Sequence, residues 1–342
     1  MKKVTASDVA SYLGVSRSSV SRAFTEGASI APKQKANILE AAKKLGYQPN
    51  LLARTLSTPS QKAKSHLVAI LISDFSNPYQ PYLFEALSTA LRKQGKMPML
   101  ISVSNDSDLD STIQKLSGYQ VDGVIAVAGS LPASSFEQCL ELQLPLITLG
   151  RSDPNSVIPS IQTDNEQAGR LAARHLLSKG LTELGYIKGR TDGEASIARH
   201  HGFRAELQET GITTCTTFDA GSYGYSAGFE VGVRHSEDIR KLQGVFCASD
   251  ALAFGFIDSC KQVNGITIPG QIQVVGCDNV PMSSWQGYQL TTVAQPVHTI
   301  TEQAILYLGM LLKNKTNGSH TGANPVFPSA QLITPELIVR RT

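Results

Sequence analysis

Val4-Thr5-Ala6-Ser7-Asp8-Val9-Ala10-Ser11-Tyr12-Leu13-Gly14-Val15-Ser16-Arg17-Ser18-Ser19-Val20-Ser21-Arg22-Ala23-Phe24, residues 4–24, reads as two short helices joined by a tight turn. Ala10 is small where the two helices must approach. Four residues on, Gly14 supplies the left-handed backbone that the turn needs. Val20 falls on the buried face of the second helix, and Val9 and Val15 complete a small apolar cluster. Thr5 is placed to cap the first helix, with Asp8 three residues on. Ser16 is placed to cap the second by accepting from a free backbone N–H. The second helix, about Arg17 to Phe24, is otherwise covered in short hydroxyls and two arginines. Such a surface suits a major groove, because serine meets phosphate without bulk and arginine can grip guanine with two bonds. A helical hairpin with an ordinary polar face is the competing reading of these residues alone.

The next segment narrows the choice. Ala31-Pro32 opens a third helix, with proline in the first turn. Ile38, Leu39, Ala42 and Leu45 lie at helical spacing, and Gly46 ends the helix. Tyr47-Gln48-Pro49-Asn50-Leu51-Leu52-Ala53-Arg54-Thr55-Leu56 follows. The two-helix unit, the Gly-Tyr-x-Pro-Asn turn and the Ala53-x-x-Leu56 segment, in this order and spacing, resemble the lactose-repressor (LacI) family of bacterial regulators. The likeness continues, more weakly but in order, to the C-terminus.

Charge is distributed unevenly. Residues 1–60 carry nine Lys and Arg against three acids, whereas the remainder carries 22 against 25. A basic head on a slightly acidic body fits a DNA-binding head on a body that does not touch DNA. The N-terminus is polar, so no signal peptide is expected, and no run of about 20 apolar residues could span a membrane. Five scattered cysteines (139, 215, 247, 260 and 277) without C-x-x-C spacing read as reduced thiols of a cytoplasmic protein.

Residues 57–65 are polar, contain Pro59 and read as a linker. Beyond it, strand-like and helical segments alternate in two series. The first places strands at His66–Ser73, Met97–Ser104, Gly123–Ala128 and Leu144–Gly150, with helices near 79–94, 108–118 and 134–142. The second places strands near Leu184–Gly189, Thr213–Asp219, Gly244–Ser249 and Ile272–Asp278, with helices near 165–179, 199–210, 223–234 and 250–263. Apolar strands separated by amphipathic helices imply parallel sheets covered on both faces. The expected architecture is therefore an all-α helix-turn-helix head on an α/β body of two doubly wound lobes, like a periplasmic binding protein. The resemblance implies three passages between lobes, near Thr163–Glu166, Gln295–Val297 and Val326–Ser329. It also returns the helix around 297–313 to the first lobe and packs a last strand, near Leu337–Arg340, on the second. The expected domains are a head over 1–48 and a hinge and linker over 49–65. The first lobe takes 66–163 and 296–328, and the second takes 164–295 and 329–342.

Open α/β sheets bind ligands beyond the C-terminal ends of their strands. Asp74 and Asn77 follow the first strand, with Tyr79 just beyond. Arg151, Arg190, Asp250 and Asp278 each follow or close another strand. Arg199 opens a nearby helix, and Tyr223 follows the strand ending near Asp219. The resemblance implies that Arg199, Asp250 and Asp278 bond effector hydroxyls or charged groups, and that Tyr223 stacks on the effector. Carboxylates, arginines and one flat aromatic face suit a sugar ring, and the resemblance together with this polar cleft implies a sugar, a sugar acid or a sugar phosphate. Helix caps or salt bridges between lobes are the alternative roles, for Asp250 and Asp278 above all. Ser249 departs from the asparagine that many relatives carry before the aspartate.

The sequence contains no Walker A and no G-x-S-x-G motif. His200-His201 are adjacent rather than one turn apart, a poor metal pair and more simply a solvated helix face. No enzyme activity, metal or cofactor is expected. The resemblance implies a dimeric repressor whose two heads meet a roughly two-fold symmetric operator. Arg17, Ser18 and Arg22 are expected to read bases. Ser16, Ser19, Ser21 and Asn50 are expected at phosphates, with Thr5 and Ala53 also in the DNA-binding set. The hinge, Asn50 to Ser57, is too short for a helix to persist alone in water. There the resemblance implies that Leu56 wedges into the minor groove. A sugar-binding protein of periplasmic type without a regulatory role is the alternative, and it leaves the basic head unexplained.

Overall fold

The computed structural model describes residues 4–25, 27–49, 65–103, 113, 115–116, 118–127, 139, 141–151, 158–317, 327 and 330–342. The chain divides into two compact units, Met1–Ser65 and His66–Thr342.

The first unit holds α1 (Ala6–Leu13), α2 (Arg17–Ala23) and α3 (Pro32–Leu45). Local chemistry sets each boundary. The Thr5 hydroxyl oxygen accepts from the Asp8 N–H, and the Asp8 carboxylate accepts from the Thr5 N–H at 2.7 Å, a reciprocal capping box. Gly14 ends α1 at φ +66°, a conformation that costs a side chain free energy and costs glycine little. Ser16 starts α2 by accepting from the Ser19 N–H at 3.1 Å. Val9, Ala10, Val20, Ala23, Ile38, Ala41 and Ala42 form the core, with Val15, Leu45 and Tyr47 packed on it. The buried stripe of α3 is therefore Ile38, Ala41, Ala42 and Leu45. Leu39 lies one position off it and is 39% exposed, contrary to the sequence expectation. Tyr47 closes the unit edge-on against Phe24, with ring centroids 5.7 Å apart. The expected hinge, with Asn50, Ala53, Leu56 and Ser57, lies outside the described residues.

Among the described residues, the second unit contains two six-stranded sheets. The first lobe orders its strands β11 (Gln331–Ile333), β5 (Ser160–Thr163), β4 (Leu146–Leu149), β3 (Gly123–Val127), β1 (Leu67–Ile72) and β2 (Met97–Ser102), all parallel. The second repeats the plan with β12 (Glu336–Ile338), β10 (Thr291–Ala294), β9 (Gln273–Asp278), β8 (Gly244–Cys247), β6 (Leu184–Lys188) and β7 (Thr216–Asp219). Its one antiparallel pair is β10 with β12. Helices α4 (Tyr79–Lys93), α5 (Asn165–Ser178), α6 (Glu194–Glu209), α7 (Tyr225–Arg234), the short α8 (Ser236–Ile239), α9 (Asp250–Gln262) and α10 (Val297–Asn317) cover the sheets. Runs such as Leu67-Val68-Ala69-Ile70-Leu71-Ile72 feed apolar clusters on both faces of a sheet, which is why they do not alternate.

The chain passes between lobes after β5, after β10 and between β11 and β12. α10 returns to the first lobe, where Val297, Ile300, Ala304 and Leu308 enter its core. The third passage thus falls at residues 334–335 rather than Val326–Ser329. Gln331–Ile333 pairs with β5 and stays in the first lobe. Helix α6 starts at Glu194, five residues earlier than expected, so Arg199 lies inside it rather than opening it.

Candidate functional site

In the head, α2 presents Arg17, Ser18, Ser21 and Arg22 to solvent, with Ser19 half-buried. Ser16, Ser18 and Ser19 form a hydroxyl cluster, with Ser16 Oγ 2.7 Å from Ser18 Oγ and 2.9 Å from Ser19 Oγ. Arg22 folds back along the helix, its Nε donating to the Ser18 carbonyl at 3.4 Å. Ser16 and Thr5 are engaged as caps, and the Thr5 hydroxyl also donates to Asp8. Arg17, Ser18, Ser21 and the far end of Arg22 form the exposed chemistry of this face. They match phosphate and base edges in the way side chains read DNA.

In the body, a cavity of about 340 Å³ opens beyond the C-terminal ends of the strands, between the two lobes. That is the size range of small-molecule sites. Asp74, Asn77, Tyr79, Arg151, Arg190, Arg199, Tyr223 and Asp278, eight of the nine expected effector residues, line it. The ninth does not. Asp250 is fully buried behind the wall, where its carboxylate accepts from the Val280 N–H at 3.0 Å and from the hydroxyls of Ser283 and Thr292. Those donors from the following loop and strand hold Asp250 inside the lobe, as a structural carboxylate. Ser249 caps α9 through the Leu252 N–H and donates to the Tyr223 carbonyl at 2.9 Å, so it fixes the Tyr223 loop.

Asp278 and Arg199 make the polar floor. Asp278 ends β9 with φ +142°, a backbone that non-glycine residues rarely adopt and that gathers at functional sites. Its Oδ1 accepts from Gln295 Nε2 at 2.6 Å, while Oδ2 is buried without a partner among the described residues. Burial raises the Asp278 carboxyl to about 7; Arg199 opposes the rise and Asp250 reinforces it. Arg199 donates from Nε to Asn165 Oδ1 at 2.8 Å and from Nη1 to the Ala248 carbonyl. Tyr223 lays its ring over Gly189, where a Cβ would collide with it. Burial raises the phenols of Tyr223 and Tyr79. Tyr79 comes from the first lobe yet packs on the cores of both. Asn77 orders that approach by accepting from the Tyr79 N–H at 3.0 Å.

Arg151 and Arg190 stand at the mouth. Arg190 forms a two-bond pair with Asp192 at 3.0 and 2.8 Å. Arg151 Nε lies 3.6 Å from Glu194 across the cleft. The histidine pair plays no part in the cavity. His200 stacks on Tyr186 at 4.8 Å instead of standing in solvent, and His201 pairs with Glu166 at 2.8 Å.

Comparison with known proteins gives these surfaces a lineage. Residues 5–50 match the model for bacterial regulatory proteins of the lacI family, and residues 173–342 match a periplasmic binding protein-like domain. The HTH-type transcriptional regulator RegA of Clostridium saccharobutylicum is 30% identical over 316 residues, 90% of this chain and 92% of that protein. The chain belongs to the lacI family of bacterial regulatory proteins. It is a DNA-binding transcriptional regulator. Among other members, the ribose operon repressor of Halalkalibacterium halodurans is 29% identical over 303 residues, 86% of each chain. The Lac repressor dimer, solved bound to operator and the anti-inducer ONPF, shares the fold with a TM-score of 0.80. It is 22% identical, with coverage of 100% of this chain and 99% of that one.

For this lacI-family member, the cavity also contains residues that sequence reasoning passed over. Gln295, Thr163 and Asn165 line it from the passages between lobes. Those segments read as connections, and in a cleft between lobes a connection is also the back wall. Gln80, Asp192 and Glu194 also join the polar lining, and nothing in their spacing distinguishes them from surface residues.

Proposed function

We propose that the chain is a dimeric transcriptional repressor of the cytoplasm whose grip on operator DNA is set by a sugar-type effector in the cleft. The effector reading rests on one observation above others: the buried Oδ2 of Asp278, without a partner among the described residues, beside the Arg199 guanidinium and the Tyr223 ring. An acceptor, a donor and a flat apolar face together suit a ring with hydroxyl edges and C–H patches. Asn77, Tyr79 and Asp74 from the first lobe would close over it.

On DNA, Arg17, Ser18 and Arg22 would read bases, and Ser19, Ser21 and Asn50 would hold phosphates. Ser16 and Thr5 would orient the helices. Ala53 and Leu56 belong to the hinge, where an apolar wedge costs a few kcal/mol of unstacking and is repaid by contacts that the bend allows. The dimer finds support in the operator-bound Lac repressor dimer and in exposed apolar surface. The edge strand β2 exposes Met97 by 60% and Leu100 by 42%, and Trp285 of the second lobe is 58% exposed.

An effector that binds one lobe angle better than the other shifts the hinges and hence operator affinity, and operator shifts effector affinity by the same factor. A thermal-shift screen of carbohydrates on the full chain tests the reading. A hit should also change the affinity for a selected operator duplex. Hits that leave DNA binding unchanged, or a silent screen, contradict it.

A further inference from the structure

We infer that Asp192 and Glu194 set the charge specificity of the cleft, closing it to anionic ligands so that the protein answers to an uncharged effector. The inference rests on the effector cavity proposed above and narrows its ligand. Among the described residues, three arginines line the cavity, and four carboxylates accompany them. An open guanidinium fork and open helix N–H groups are strong anchors for a phosphate or carboxylate ligand.

The Arg190 fork is filled and the α6 terminus carries an acid. The Asp192 carboxylate occupies the Arg190 fork through Nε and Nη2, in the parallel two-bond geometry that an anionic ligand would take. The bond holds the Asp192 carboxyl below its ordinary range. Glu194 Oε1 lies 3.6 Å from Arg151 Nε. Arg199 is committed to Asn165 and the Ala248 carbonyl, and faces Asp278. The N-terminus of α6 also reaches the cavity through Gly193, Glu194 and Ala195, and it has no side-chain cap. An anion would be drawn to that terminus, but Glu194 already places a carboxylate in its first turn. The two acids thus cancel both anion-attracting features of the mouth. Asp74 adds a further negative charge there.

The Arg190–Asp192 pair is well exposed, and such pairs contribute little to stability. Removing the acids should therefore leave the fold intact. Inorganic phosphate is the first probe, titrated into the full chain at constant ionic strength and followed by thermal shift and calorimetry. The Asp192→Asn/Glu194→Gln variant should bind phosphate about tenfold or more tightly than wild type. Adding Arg190→Gln should remove the part of the gain that Asp192→Asn supplies. Equal phosphate affinity in wild type and double variant, or a gain that loss of Arg190 does not diminish, overturns the inference. A parallel titration with uncharged sugars and their phosphate esters separates the two proposals. If wild type prefers an ester to its parent sugar, charge gating is wrong and the sugar reading stands. If no sugar binds either protein, the sugar reading fails while the phosphate comparison still decides the gate.

Discussion

The side-chain amide of Gln295 donates to the buried carboxylate of Asp278 at 2.6 Å. Its carbonyl oxygen accepts from the Thr163 hydroxyl at 2.9 Å. Thr163 closes β5 before the first passage between lobes, and Gln295 follows β10 before the second. The Asp164 N–H adds the third passage by donating to the Ile333 carbonyl at 2.8 Å. The Asp278 carboxylate in the cavity is therefore bonded directly to the second passage and, through Gln295, to the first.

Gln295→Ala should weaken effector binding by about tenfold or more, because a hydrogen bond to a charged group contributes roughly 1.5–3 kcal/mol. It should also blunt the effect of effector on DNA affinity. Calorimetry with the identified effector measures the first, and an unchanged Kd contradicts the role of Gln295.

Effector affinity should depend on pH through Asp278. Its carboxyl is pushed up to about 7 in the fold from an ordinary 3.8. Effector hydroxyls need the ionised acceptor, so binding below pH 7 releases a proton and affinity falls as pH falls. Stability runs the other way. The folded state holds this proton between about pH 4 and 7 while the unfolded chain has lost it, so the contribution of Asp278 to stability declines as pH rises through that window. Asp278→Asn should flatten both profiles. A pH-independent effector Kd in wild type between 5.5 and 8, on the order of the window set by this shift, contradicts the assignment.

Asp250→Ala should destabilise the body rather than silence the effector response selectively. It strands the Val280 N–H and two buried hydroxyls, each roughly 1–3 kcal/mol if unsatisfied. Thermal denaturation should show a clear loss of melting temperature. A variant with wild-type melting and no effector response would return Asp250 to the binding site.

In the head, Arg22→Ala should relax base preference at one operator position by about 1–3 kcal/mol. Thr5→Ala should instead loosen α1 by roughly 0.5–2 kcal/mol through loss of the capping box. Binding-site selection reads the first and amide exchange the second. An unchanged consensus with Arg22→Ala contradicts base readout by this arginine.

The head was largely legible because its signals are local. Thr5, Gly14 and Ser16 act within four residues of themselves, and the structure shows each in the role that its spacing implied. The body was legible where strands are apolar and less so elsewhere. β5, β10 and β11 escaped detection because each has three or four residues and the first two bury hydroxyls. Ser160 donates to the Arg151 carbonyl, Thr291 to the Thr342 carbonyl and Thr292 to Asp250. Such partners lie far away in sequence, so no local pattern announces them. Asp250 and Asp278 carry the same signature, an acid at the end of an apolar strand. Only the packed fold distinguishes them, by surrounding one with donors and leaving one oxygen of the other bare.

The most direct test is the binding of the full chain to a labelled duplex selected from a random pool, followed by anisotropy across a salt series with and without the identified effector. The account predicts a two-fold symmetric site bound on the order of a thousandfold or more above scrambled duplex, with log K falling linearly with log salt. Saturating effector should shift that affinity about 5- to 150-fold. Equal binding to selected and scrambled duplex, or a selected-site affinity that effector does not move, contradicts it.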